Sequence, residues 1–147
     1  MRSPPVKRLH ALTLLTAFVA GALAACGGDE RPEDDDFERH LAKPLPMNKV
    51  FTDSLSANGG DLSDWKIFNA DAPGLITVTI HFDKPDADCE AYLADKYGAK
   101  IERETQSASP YIRLTRRIEP GRFFVWVHAP KESCTTQYSI ESRLEPD

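Results

Sequence analysis

The chain has 147 residues, 23 of them acidic and 18 basic, for a formal charge of −5. That length holds roughly one domain with a real core. The acidic balance argues against nucleic-acid phosphates or anionic lipid headgroups as partners.

In chain order, the first segment reads as an address. Arg2, Lys7 and Arg8 form a positive start, and residues 9–23 form an apolar run too short to stay as a membrane span. The run ends in Leu23-Ala24-Ala25-Cys26, which reads as the processing site of a bacterial lipoprotein, with Cys26 acylated and left as the first mature residue. Loss of residues 1–25 removes three positive charges, so −5 becomes −8 over about 122 residues. Such a chain is expected to be held to a membrane by acyl chains, and three of them exceed the two signals that stable anchoring needs. Gly27 follows the cysteine in place of an aspartate that favours inner-membrane retention, so the expected location is the cell envelope, at the outer membrane.

Residues 26–47 carry Asp29, Glu30, Glu33 to Asp36, Pro44 and Pro46. Low hydrophobicity and like charge predict a disordered tether, with a functional acidic arm as the alternative. From residue 48 to 147 period-two alternation takes over and no amphipathic helix is apparent. Eight strands are predicted, at 49–56, 65–70, 75–82, 90–94, 100–107, 111–118, 122–128 and 137–144. Turn chemistry separates them, as in Asn58-Gly59-Gly60-Asp61, Ala72-Pro73-Gly74 and Glu119-Pro120-Gly121. In 75–82, Ile76, Val78, Ile80 and Phe82 share one face, opposite Thr77, Thr79 and His81. In 111–118, Ile112, Leu114 and Ile118 lie opposite Arg113, Thr115 and Arg117, as in a sheet wet on one side. Phe123 to Val127 is apolar on both faces, which predicts a central strand whose outer side is covered. The fold class is all-β, a small antiparallel two-sheet β-sandwich, jelly-roll-like, of about seven or eight strands.

With Cys26 given to lipid, Cys89 and Cys134 remain. No Cys-x-x-Cys spacing exists and no histidine lies beside either, so an oxidising compartment favours a disulfide over a metal or redox site, with two buried free thiols as the alternative. Closing a loop of roughly 45 residues contributes at most about 4 kcal/mol on the chain-entropy view.

Several stretches between residues 50 and 144 carry a resemblance. They are Gly60-Asp61 with Asp64-Trp65 and Phe68, then Leu75 to Thr79, then Asp86 to Leu93 with Gly98, then Pro120 to Val127, and last Tyr138-Ser139-Ile140. In that order the body resembles the bacterial pre-peptidase C-terminal domain family, small β-sandwiches usually appended to secreted peptidases. The resemblance implies a fold and no activity, and a peptidase ahead of the domain is not expected here.

Asp61 and Asp64 flank one turn, while Asp83, Asp86 and Asp88 crowd a loop after the strongest strand. Hard oxygen ligands at this density suit calcium, with solvated caps and Asx-turns as the plain alternative. No other cofactor is expected. For Asp64-Trp65 the ordinary reading is an edge tryptophan with the aspartate ordering the preceding turn. Trp65, Tyr111, Phe124 and Trp126 are candidate binding residues, which as flat, coplanar faces would suit sugar rings. His40, His81 and His128 form no triad with a serine, and no Gly-x-Ser-x-Gly elbow, zinc helix or phosphate loop is present, so no enzyme is expected. The expected function is a lipid-anchored, non-catalytic module for a protein partner in the envelope. The alternatives are a cell-wall glycan binder and a calcium-stabilised accessory domain.

Overall fold

The computed structural model describes residues 35–147; residues 1–34, with the expected lipidation site at Cys26, lie outside the described residues. Nine strands follow one another: β1 (Lys43–Pro44), β2 (Val50–Ser56), β3 (Ser63–Ala70), β4 (Gly74–Phe82), β5 (Glu90–Ala94), β6 (Lys100–Thr105), β7 (Tyr111–Ile118), β8 (Gly121–His128) and β9 (Thr135–Pro146). One sheet has the order β1-β3-β8-β5-β6 and the other β2-β9-β4-β7. Every pairing is antiparallel except that of β1 with β3. The chain is therefore a two-sheet β-sandwich, and the eight strands expected from alternation are all present.

The four-stranded sheet follows its sequence pattern. Ile76, Val78, Ile80 and Phe82 of β4 face inward with Ile112, Leu114 and Ile118 of β7 and Ile140 of β9, all nearly or fully buried. From the other sheet come Phe68 and Ala70 of β3, Ala91 and Leu93 of β5, and Val125 and Val127 of β8. Each such aliphatic side chain contributes roughly 1.5–3 kcal/mol by leaving water. As expected for a central strand, β8 lies between β3 and β5 and buries Phe124 as well as Val125 and Val127. Cys89, just before β5, is bonded to Cys134, just before β9, so the disulfide joins the two sheets at one end.

The tether expectation fails for its described half. Residues 35–47 lie along the open edge of β3 as a strap. Lys43 and Pro44 pair with Lys66 and Ile67, the Trp65 amide donates to the Asp36 carbonyl and the Leu45 amide to that of Ile67, and Leu45 enters the core. A segment poor in apolar residues becomes ordered because an exposed sheet edge supplies backbone partners and the sandwich supplies a counter-charge.

Candidate functional site

The charges inside the sandwich come from β3, whose alternation is reversed relative to its chemistry. Asp64 and Lys66 point inward with Phe68 and Ala70, while Ser63, Trp65 and Ile67 point outward. Lys66 is fully buried, and its ammonium pairs with Asp36 of the strap and, at 2.6 Å, with Asp53 of β2. Lys43 adds a second cation, 2.6 Å from Asp35 and 3.3 Å from Asp36. Beside this cluster the Tyr138 hydroxyl donates to Asp64 at 2.5 Å. Burial pushes the Asp64 carboxyl up to about 8 against the pull of Lys66 and Tyr138, with Asp36 and Asp53 adding to the rise. Asp53 moves the other way: burial opposes it, but the hydrogen bond and charge of Lys66 hold it below the usual carboxylate range. Carboxylate oxygens of Asp36, Asp53 and Asp64 come within 4.8 Å of one another. The Lys66 ammonium already supplies positive charge among them, and breaking such a buried pair costs about 3–5 kcal/mol.

The reversal places Trp65 on the outer face of the five-stranded sheet, among rings of β8 and β5. Trp65, Trp126 and Tyr92 are cross-strand neighbours on β3, β8 and β5. Trp65 and Trp126 stack at 5.2 Å between centroids with only 4° between planes, and Tyr92 stacks on Trp126 at 4.7 Å. Phe124 meets Trp65 edge-on, and His128 packs on Trp126. Polar tips are tied down: the Trp126 indole N–H donates to the Ser63 hydroxyl at 3.1 Å, and His128 Nδ1 donates to the Leu62 carbonyl at 3.0 Å. Aromatic pairs of this kind contribute about 0.5–1.5 kcal/mol beyond their buried area.

Cations lie over these rings. The Lys100 ammonium is 4.0 Å from the Tyr92 centroid and 4.3 Å from that of Trp126. Arg39 of the strap lies over Phe124 at 5.7 Å. Its guanidinium reaches Gly98, which holds φ +86°, where an added Cβ would collide with it. Arg103 lies over Tyr92 and pairs with Glu90 at 2.7 Å. The Glu90 carboxyl also accepts from Tyr92, and burial is outweighed by these two donors, so its pKa falls.

Of the candidate binding residues, Trp65, Phe124 and Trp126 come together, whereas Tyr111 lies on β7 in the other sheet, next to Arg113. The rings are not a coplanar platform. Trp65, Trp126 and Tyr92 stack on one another, with the Lys100 ammonium over Trp126 and Tyr92. Of the carboxylates considered for calcium, only Asp64 belongs to the group of three. Asp61 holds its turn through backbone bonds to Ser56, Asp83 and Asp86 are exposed, and Asp88 pairs with Lys131 at 3.3 Å. Among the described residues no three of Asp61, Asp64, Asp83, Asp86 and Asp88 bring carboxylate oxygens within 4.8 Å of one another. Asp64 also does not order the preceding turn, because strand parity sends it inward to Tyr138.

Sequence reading missed Lys66, Asp36, Asp53, Tyr92 and Lys100. For Lys66 a signal existed: once Phe68 and Ala70 are placed inward, period-two geometry places Lys66 inward too.

No family model matches the chain, and no curated protein matches it in sequence. Among solved structures it is similar to the pre-peptidase C-terminal domain of collagenase from Bacillus anthracis, with a TM-score of 0.60 and 17% identity over 69% of this chain and 93% of that one. It is also similar, at a TM-score of 0.45 and 14% identity over 67% of this chain and 86% of the other, to the Yersinia pseudotuberculosis-derived mitogen.

Proposed function

With the fold of a pre-peptidase C-terminal domain as the starting point, we propose that the chain is a lipoprotein held at the outer membrane through acylated Cys26. Its sandwich is a non-catalytic module that binds a protein partner through the outer face of the five-stranded sheet. The observation that carries this reading is the half-buried Trp65–Trp126 stack and its overlying cations on that face. The opposite sheet turns threonines, serines and paired charges outward. Tryptophan, tyrosine and arginine are the side chains that dominate protein interfaces. Between Cys26 and the strap that begins at Asp35 the chain can span at most about 30 Å. The partner therefore lies close to the membrane.

Two measurements test this. Cys26→Ser should abolish fatty-acid labelling and leave the precursor uncut; normal acylation and processing of that variant would refute the anchor. For the module, a photo-crosslinking residue at position 126 should capture an envelope protein that the same residue at position 79, on the opposite outer face, does not. Equal capture from both faces, or none at 126, would refute the binding face.

A further inference from the structure

The cations of this protein divide by what they rest on. Around the four-stranded sheet three arginines are neutralised by the chain's own carboxylates, Arg117 by Asp147, Arg143 by Glu141 at 3.0 Å and Arg116 by Glu102 of β6 at 3.7 Å, while Arg113 lies over the Tyr111 ring. On the aromatic face only Arg103 is paired, with Glu90, and the other cations rest on rings or stand beside them. Arg39 lies over Phe124, Lys100 over Tyr92 and Trp126, and Lys96 over Tyr97 at 4.9 Å. Arg122 shares the outer face of β8 with Phe124 and Trp126. None of these four cations has a carboxylate within ion-pair distance among the described residues. The nearby acids of β5 and its following turn are already engaged: Glu90 by Arg103 and Tyr92, and Asp95 by the amides of Tyr97 and Ala99 at 2.9 Å each. An ammonium over an aromatic face keeps its charge and N–H donors available, and an acceptor that replaces water there gains a charge-assisted hydrogen bond.

In a chain of charge −5, this is a local positive field against the overall sign. From Arg122 to Trp126 the outer face of β8 spans about 13 Å. A depression of about 530 Å³ bordered by Lys96, Tyr97 and Arg122 opens at one end of this face, and one of about 390 Å³ bordered by Tyr92, Lys100, Arg103 and Glu102, the last paired with Arg116, opens beside the stack. We propose that this face takes an acidic, extended segment of the partner polypeptide, its alternate carboxylates meeting Arg122, Lys96, Lys100 and Arg39 while its apolar side chains meet the half-buried Trp65 and Trp126. The proposal rests on the binding-face reading above and adds the chemistry of the partner. Charge complementarity selects the segment, since a basic segment would be repelled and a neutral one would leave the four cations uncompensated.

The test uses the purified full-length protein in neutral detergent and three fluorescent probes: an eight-residue peptide of alternating Glu and Tyr, its Lys counterpart, and a sulfated oligosaccharide of similar charge. Fluorescence anisotropy should show binding of the acidic peptide, weakened about ten-fold or more between low and moderate salt, and no binding of the basic one. Lys100→Gln combined with Arg122→Gln should weaken the acidic peptide about ten-fold, while Arg113→Gln combined with Arg143→Gln on the opposite sheet should leave it unchanged within about two-fold. Both double variants should keep the parent's melting temperature. Equal binding of both peptides, tighter binding of the oligosaccharide, no binding at all, or indifference to Lys100 and Arg122 would overturn the proposal. Sequencing the segment captured at position 126 separates this from the broader reading: a captured segment without excess negative charge overturns the acidic-segment proposal and leaves the binding face standing.

Discussion

The two sheets solve the same burial problem in opposite ways. In the four-stranded sheet β4 and β7 direct aliphatic residues inward and polar residues outward, so Thr79 and Arg113 meet water while Ile80 and Ile112 meet the core. In the five-stranded sheet β3 directs Asp64 and Lys66 inward and Trp65 outward. The difference teaches that an apolar–polar alternation does not say which set is buried when counter-charges are within reach. Lys66 tolerates complete burial because Asp36 and Asp53 surround its ammonium, and those ion pairs fasten the strap to the sheet edge. The reversal has a return on the surface, where it frees Trp65 to stack on Trp126.

Lys66→Met is the strongest way to break this comparison. It leaves Asp36 and Asp53 without their central counter-charge and should cost about 3–5 kcal/mol in a urea titration at pH 7. Adding Asp36→Asn and Asp53→Asn should recover more than half of that loss, because uncompensated charge rather than lost packing is the cost. A Lys66→Met variant as stable as the parent would show that the ion cluster does not hold the strap. In the other sheet Leu114→Ala should cost about 3 kcal/mol by leaving a cavity, with the same value at pH 5 and pH 8.

On the outer faces the contrast should be smaller and just as clear. Trp126→Ala loses two stacking partners and should cost about 2 kcal/mol. Arg113→Ala on the opposite face should change stability by less than about 0.5 kcal/mol. Comparable effects at the two positions in denaturant titration would remove the structural distinction between the faces.

The smallest change sharpens the comparison through pH. Asp64 holds its proton up to about 8 in the folded chain, against about 3.9 for an unperturbed aspartate. The folded state therefore binds the extra proton, and its stability falls as the pH rises from about 4 to about 8. Asp53 contributes with the opposite sign: its folded pKa is depressed, so the stability it supplies is lost only as the pH drops below about 4. Asp64→Asn keeps an acceptor for Tyr138, so at pH 5 it should cost less than about 1 kcal/mol. Between pH 5 and pH 8 it should flatten the decline seen in the parent. Parallel pH profiles for the two proteins would show that Asp64 is already ionised in the fold.

The strands were legible because alternation is a local property. Ile76, Val78, Ile80 and Phe82 announce β4 with no knowledge of their partners, and turn residues bound the strands whatever packs on them. Phe123 to Val127 announced a central strand for the same reason, since apolar residues on both faces need cover on both. The Cys89–Cys134 bridge followed from cysteine count and setting. What the tertiary structure alone decided is which chemistry β3 buries, that residues 35–47 are part of the fold, and that Tyr92 and Lys100 join Trp65 and Trp126 while Tyr111 stands apart. Those outcomes depend on groups far apart in the chain: Lys66 meets Asp36 across 30 residues, and Tyr138 meets Asp64 across 74. Burying a charge is prohibitive alone and tolerable with partners, and a partner that arrives only through the fold leaves no mark in the local sequence.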